Sequence, residues 1–347
     1  MKLLEEGITH MKNTNKQLQD LSLSVLDLVT VLQGKVPADS FHNGLDLARK
    51  VEDFGYERYW LAEHHNSPGV ASSATSLLIG YIAGGTTKIR VGSGGIMLPN
   101  HVPLVVAEQF GTLESLYPGR IDLGLGRAPG TDQITARALR RNVGGSGEDF
   151  PSNIVELQNY LSTNKSGPVR AFPGEGTNVP LWILGSSLFS ARLAGMMGLP
   201  YAFASHFAPS YLKDALKLYK DSFQPSEQLK EPYAIACVNV VAADTTEEAE
   251  RLATSLKLFF LNVIRGGQEL LKPPVDNLDT YWSPYEKAAV NQMLEYTFIG
   301  DSTKISHELQ AFLDETQVNE IMVCSHIYDH EARVRSYEIM SQIVKTK

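Results

Sequence analysis

The stretch Lys88-Ile-Arg-Val-Gly-Ser-Gly-Gly-Ile-Met-Leu-Pro99 sets the reading of the whole chain. An extended run, Lys88 to Val91, passes into Gly92-Ser-Gly-Gly95, where a strand is expected to end. Glycine permits close backbone approach, so Gly92, Gly94 and Gly95 read either as an ordinary strand-to-loop turn or as a floor under a flat ligand. A helix follows over ~102–116, then the break Pro118-Gly119 and a second apolar strand, Arg120-Ile-Asp-Leu-Gly-Leu125. Two strands this apolar, joined through a helix, belong to a parallel sheet covered on both faces.

The same alternation extends both ways. Upstream, Leu21–Leu26 is a strand, and Asp39–Phe54 places Leu45, Leu47, Ala48, Val51 and Phe54 at helical spacing before Gly55 stops it. Arg58-Tyr-Trp-Leu-Ala62 is a short strand that delivers Glu63-His64-His65, then the loop Asn66–Gly69 and a helix over ~70–84. Downstream, Pro180–Leu184, Tyr201–Ala204, Tyr233–Val241 and Glu320–Cys324 are strands. Helices run over Ser187–Met197, Pro209–Tyr219, Thr245–Ile264 and, capped by Asp301-Ser302, ~303–314. Strands beginning near 21, 58, 88, 120, 181, 201, 233 and 320 make eight, which is the count of a (β/α)₈ TIM barrel. An open doubly wound sheet is the rival, but no strand opens into a Gly-x-Gly-x-x-Gly helix entry.

Two segments break the rhythm. After Arg127 comes a polar, glycine-rich run with Ala128-Pro-Gly130 and Gly144-Gly-Ser-Gly147, too long for a plain connection and expected as an active-site excursion at the C-terminal face. Residues 265–285, with Gly266-Gly267, Pro273-Pro274, Tyr281 and Trp282, read as a lid. Residues 1–20 are polar and read as a flexible or loosely docked extension, leaving 21–347 as one barrel domain.

Composition narrows the class. A chain of 347 residues, 43% hydrophobic and 20% charged, buries a large core without a metal or disulfide. The net charge of -8 and pI near 5.6 argue against a nucleic-acid partner. Cys237 and Cys324 each lie in an apolar run and read as reduced, buried thiols. Neither an apolar leader nor a run of ~18 apolar residues is present, so neither secretion nor a membrane span is expected, and a cytoplasmic location is.

In a barrel, the C-terminal strand ends converge on one face, so His64, Gly94–Gly95, Arg127, Ser186–Ser187 and His206 are read together. Glu63-His64-His65 lacks the His-Glu-x-x-His spacing of a helical zinc site, so no metal is expected there. A loop-binding histidine pair and a catalytic imidazole are both open readings. Arg127 follows a very apolar strand, where a buried guanidinium demands an anion: either a neighbouring carboxylate or a ligand. Ser186 and Ser187 stand between Gly185 and a helix start, the place of a simple N-cap or of a phosphate seat. Arg127 and the helix start together favour phosphate. His206, with Tyr281 and Trp282 of the expected lid, is placed at the substrate pocket.

With these motifs the sequence resembles the bacterial luciferase-like flavin monooxygenases. The resemblance runs from about Leu21 to the C-terminus and rests on Tyr59-Trp-Leu-Ala-Glu-His-His65, Val91-Gly-Ser-Gly-Gly-Ile-Met-Leu-Pro99, Pro118-Gly-Arg-Ile-Asp-Leu-Gly-Leu-Gly-Arg127 and Gly185-Ser-Ser187. The Leu26-Asp27 start and the His65-Asn66 pair look closest to the single-chain bacterial branch. The resemblance implies a (β/α)₈ barrel with an insertion and a mobile lid. It implies FMN as cofactor, received reduced from a separate flavin reductase, and oxygenation of a small organic substrate through a flavin C4a-peroxide. His64 would be the catalytic imidazole, and Gly94–Gly95 the pair joined by a non-prolyl cis peptide under the isoalloxazine. Arg127, Ser186, Ser187 and Ser190 would form the phosphate site. The helices at ~70–84 and ~102–116, carrying Ala71, Ala74, Leu77, Leu78, Tyr81, Val105, Val106 and Phe110, would form a homodimer interface. Two residues depart from the light-emitting subunit: Gly126 replaces a cysteine, and Ser186 a glutamate. A deazaflavin (F420)-dependent hydride transferase on the same barrel and a non-catalytic flavin-binding partner subunit are the alternatives.

Overall fold

The computed structural model describes residues 16–139, 149–163 and 167–345, and Gly144-Gly-Ser-Gly147 lies outside them. The strands are β1 (Ser22–Asp27), β2 (Arg58–Leu61), β3 (Arg90–Met97), β4 (Ile121–Gly126), β5 (Leu181–Gly185), β6 (Tyr201–Phe203), β7 (Ala234–Ala242), β8 (Thr297–Gly300) and β9 (Glu320–Cys324). All pairings between them are parallel. Each of β1 to β6 pairs with the next, β6 pairs with β7, β7 with β9, and β9 with β1, so eight strands close a (β/α)₈ TIM barrel.

β8 is a ninth strand that the sequence reading leaves out. Asn239 of β7 pairs with Cys324 of β9 along one edge and with Thr297 of β8 along the other. β8 therefore takes the edge of β7 that the three-residue β6 leaves unpaired. Four residues just ahead of the Asp301 cap carry too little periodicity to announce a strand. The cap itself forms: the Asp301 carboxylate accepts from the Thr303 and Lys304 amides at the start of a helix over Ser302–Thr316.

The helices are α1 (Pro37–Asp53), α2 (Thr75–Gly85), α3 (Pro103–Leu116), α4 (Gln133–Leu139), α5 (Phe150–Leu161), α6 (Leu188–Met197), α7 (Leu212–Ser222), α8 (Thr246–Ile264), α9 (Pro284–Met293), α10 (Ser302–Thr316) and α11 (His330–Lys345). Val106 and Phe110 of α3, expected at an interface, are buried in this chain's own core. Leu77, Tyr81, Val102, Val105 and Leu116 are the exposed large apolar residues of that region. Of the N-terminal extension, residues 1–15 lie outside the described part. Residues 16–20 are docked: Leu18 is buried, and the Lys16 ammonium donates to the carbonyls of Gln317 (3.2 Å) and Val318 (2.9 Å).

The barrel interior is layered. At its N-terminal end Arg58 bridges Asp122 (3.0 Å) and Glu320 (3.1 Å), while Arg90 binds the other oxygen of Asp122 (2.6 Å). Trp60 Nε1 and the Tyr233 hydroxyl donate to Asp122 and Glu320, and the Ser24 hydroxyl also donates to Glu320. Asp122 and Glu320 are fully buried, and every oxygen among them has a donor. Above this layer lie Leu26, Trp60, Trp182, Ile235 and Met322, with Trp60 and Trp182 meeting edge to face at 5.1 Å. Cys237 and Cys324 complete the layer as buried free thiols, and burial pushes Cys324 up to about 12. No helix among the described residues is long and apolar enough to cross a membrane.

Candidate active site

β3 does not end at its glycines. It runs on to Met97, with its pairing to β4 shifted between Ser93 and Ile96, and the Gly94–Gly95 peptide is cis. A Cβ on Gly92 would stand 2.5 Å from the Asp122 carbonyl oxygen, and one on Gly95 2.7 Å from that of Gly124. The group that presses on these glycines is thus the backbone of β4. Gly92 is spent on that packing, whereas Gly94 and Gly95 also line a cavity of about 610 Å³ at the C-terminal end of the barrel, within the usual range for a cofactor or substrate site.

One part of the cavity lining gathers residues that could hold an anion. Arg127, directly after β4, is exposed rather than buried, which corrects the expectation of a buried charge. Its guanidinium lies over the Phe189 ring at 4.3 Å and forms no ion pair with any described residue. The carboxylate expected as an alternative partner is therefore missing among those residues. Ser187 is the N-cap of α6, yet its side chain makes no capping bond, so the first α6 amides are left without the partner that a capping serine supplies. Ser190 is buried and donates to the Ser187 carbonyl at 2.9 Å, fixing the turn. Arg127, Ser186, Ser187 and Ser190 all line the cavity.

Imidazoles line the same cavity. His64, at the end of β2, lines the cavity, and its Nδ1 has no partner within the described chain. Burial lowers its pKa, helped by His65 and opposed by the Glu63 carboxylate, so the ring is neutral near pH 7. Glu63 holds the loop. Its Oε1 accepts from His65 (2.7 Å) and His101 (2.8 Å), and its Oε2 from the Met97 amide (3.0 Å), joining the ends of β2 and β3. Burial would raise the Glu63 pKa, but the bonds from His101, His65 and Met97 outweigh it and keep the carboxylate ionised. Donor atoms of Glu63, His65 and His101 lie within 4.8 Å of one another, a set able to take a divalent cation. His101 was invisible to the motif because it comes from a different loop.

His206 follows β6 and is buried against the edge of Phe207 (4.8 Å), with Nδ1 unpartnered. Burial, with His326 and His64 nearby, lowers its pKa to about 3. His326, two residues beyond β9, lies on the Phe259 ring at 4.6 Å, and its Nε2 is likewise without a partner. Burial, helped by Arg333 and opposed by Asp27, takes His326 to about 4. The sequence reading missed His326, although it obeys the same strand-end rule that selected the others.

The expected cover needs a correction. Tyr281 and Trp282 do not line the cavity. Trp282 packs with the α8–α9 cluster and donates from Nε1 to Asp279 (2.9 Å), while the Tyr281 carbonyl accepts from Arg265. The cavity's aromatic cover is Phe259 and Phe260 of α8, followed by Gly267, Gln268 and Glu269. That last segment is tied down by Leu271, which exchanges backbone bonds with Val31 (2.9 Å) and Gln33 (2.8 Å). Phe259 and Phe260 sit in a long amphipathic helix, where sequence alone reads them as barrel wall.

Fold and site together define a (β/α)₈ barrel whose C-terminal cavity gathers Arg127, the uncapped start of α6, the Gly94–Gly95 pair and several imidazoles. The family model described as luciferase-like monooxygenase matches residues 22–320, and the chain belongs to that family. It is 60% identical to the uncharacterized protein YvbT of Bacillus subtilis, over 96% of this chain and 100% of that one. It is 52% identical to a luciferase-like monooxygenase of Escherichia coli K12, over 93% and 97%. It is 30% identical to the N-acetyl-S-alkylcysteine monooxygenase of Bacillus subtilis, over 93% and 98%. Among solved structures, apo-MsnO8 superposes with a TM-score of 0.88 at 34% identity, covering 94% of this chain and 99% of that one. Two others share the fold alone. The oxygenating constituent of 3,6-diketocamphane monooxygenase, solved with FMN, has a TM-score of 0.70 at 16% identity, covering 94% and 98%. An F420-dependent secondary alcohol dehydrogenase has a TM-score of 0.68 at 14% identity, covering 94% and 99%.

Proposed function

We propose that the protein is a flavin-dependent monooxygenase that takes reduced FMN from a separate flavin reductase and uses molecular oxygen to oxygenate a small organic substrate. The observation that carries this reading is one cavity lined by Arg127, which has no ion-pair partner among the described residues, by the uncapped start of α6, by Gly94–Gly95 and by a neutral His64. Arg127, Ser186 and Ser187 would hold the phosphate, the guanidinium by charge-assisted hydrogen bonds and α6 through its first amides. Gly94 and Gly95, lacking side chains, would let the ring system lie on β3. Reduced flavin, when bound, supplies the electrons that activate oxygen.

The chain's own residues do the rest. Phe259 and Phe260 line the cavity and would keep bulk water from the reacting groups. His64 accepts or returns a proton at the ring nitrogen that its neutral tautomer leaves bare. Glu63 positions that loop from behind, through His65, His101 and Met97. The exposed apolar patch at Leu77, Tyr81, Val102 and Val105 supports a homodimer built on α2 and α3, and a monomeric mass by light scattering at micromolar protein would refute that assembly. A non-catalytic partner subunit would have no need of a half-buried, neutral His64 in the cavity.

The test is oxygen consumption by the protein with reduced FMN and a panel of aldehydes, ketones and thioethers. Substrate-dependent uptake with one oxygen atom recovered in the product supports the reading. Oxygen-independent turnover with reduced F420 would overturn it in favour of hydride transfer.

A further inference from the structure

Beyond the phosphate corner and the glycine floor, the cavity has a compartment whose polar groups are not used by the proposed cofactor. Phe259, Phe260 and Met293 line it on the apolar side, and its polar members include His206, His326 and Asn262. Both rings are more than nine-tenths buried, and each has a nitrogen without a partner among the described residues. A buried polar atom left unpaired costs free energy, so such atoms are kept where a ligand completes them. His206 and His326 follow β6 and β9, the two barrel strands that flank β7, and both line the cavity.

The charge census of the cavity is equally specific. Among the described lining residues the only Lys or Arg is Arg127, at the phosphate corner, while Asp132 and Glu269 are acidic. The remaining cationic option is a protonated histidine. Burial opposes that at His206 and His326, and is reinforced by His326 and His64 at His206 and by Arg333 at His326. A carboxylate entering this compartment would lose its hydration and find no free counter-charge in the lining, since Arg333, next to His326, is already paired with Asp27 at 2.8 Å.

Resting on the FMN reading above, we infer that this compartment selects an uncharged substrate, an apolar body bearing one neutral polar group that His206 and His326 bind by hydrogen bonds. The two histidines are then specificity residues: they reject carboxylates of the same shape because neutral imidazoles offer hydrogen bonds without charge. Their removal abolishes the discrimination and leaves the flavin site intact.

The experiment uses the full chain loaded with FMN and two matched pairs of probes, octanamide with octanoate and phenylacetamide with phenylacetate, followed by equilibrium dialysis and by the perturbation of flavin absorbance. Each amide is expected to bind about 10-fold or more tightly than its carboxylate. In His206→Phe and His326→Phe the amide should lose that advantage, to within about 3-fold, with FMN affinity unchanged. Should either variant fail to fold, His206→Gln and His326→Gln, which keep a donor and an acceptor, must retain the amide preference. Equal or tighter binding of the carboxylates, no amide binding at millimolar concentration, loss of preference in the glutamine variants, or an undiminished preference in the phenylalanine variants overturns the inference. Failure of the wild-type chain to bind FMN would overturn the monooxygenase reading instead, and the FMN titration that precedes the probes reads that separately.

Discussion

The two ends of the barrel solve opposite problems with the same kind of material. At the N-terminal end, buried charges are fully matched: Arg58 and Arg90 meet Asp122 and Glu320, and Trp60, Tyr233 and Ser24 fill the remaining acceptor positions. At the C-terminal end, buried, half-buried or exposed polar groups are left unmatched among the described residues: His64, His206 and His326 each carry an unpartnered nitrogen, and Arg127 has no acid partner. Saturated polar networks fix a structure, whereas unsaturated ones await a ligand. The contrast follows the general division of this fold, with stability below and chemistry above.

The lower end should break hardest. Asp122→Ala takes one partner from each of two arginines and is expected to cost about 3–5 kcal/mol of stability in urea unfolding, with FMN affinity in the folded protein unchanged. A loss below about 1 kcal/mol would show that the network relaxes into solvent like a surface pair.

At the upper end, His64→Asn should leave stability and FMN affinity nearly as they were and slow the oxygenation step by ~10²–10⁴. The wild-type rate should fall as pH drops, because protonation removes the base, and do so at a pH below the ordinary imidazole range, since burial lowers the His64 pKa. If the mutant keeps the wild-type pH profile, His64 takes no part in proton transfer.

A smaller effect sharpens the contrast without any substrate. His206 and His326 stay neutral in the folded chain down to about 3 and about 4, whereas the unfolded chain takes up protons at each near ~6.5. Their contribution is fully present above that value and is lost as pH falls below it, by roughly 1.4 kcal/mol per histidine per pH unit and roughly 2 kcal/mol each at pH 5. The difference in unfolding free energy between wild type and His206→Phe should therefore shift with pH between 7 and 5 by about that amount. A constant difference would mean that His206 is charged in the folded state.

Most of the architecture was legible in the sequence because parallel barrel strands are buried on both faces and stand out as apolar runs between amphipathic helices. β8 escaped because its four residues owe their conformation to an edge of β7 left open by a neighbour, a tertiary fact. In the site, His64, Arg127, Ser186, Ser187 and His206 were readable from their strand-end positions, and all line one cavity. The cover was not. Tyr281 and Trp282 look like lid residues in a Pro- and Gly-rich segment, but Trp282 is consumed by the α8–α9 cluster, and α8 itself turns Phe259 and Phe260 inward. Which face of a long helix meets a cavity depends on where the helix lies, and periodicity gives only that a face exists. The glycines of β3 carried two signals at once, close packing against β4 and access to the cavity, which only the register shift between Ser93 and Ile96 separates.

The central claim is that the unsaturated end of the barrel is an FMN site whose phosphate is read by Arg127 and the start of α6. Calorimetric titration of FMN and riboflavin into the wild-type chain and into Arg127→Ala tests it most directly. The account predicts that wild type binds FMN more tightly than riboflavin and that the substitution weakens FMN by about 1.5–3 kcal/mol, the worth of a hydrogen bond to a charged group, while riboflavin affinity stays put. Equal affinities for the two flavins in wild type, or equal losses for both in Arg127→Ala, would contradict it.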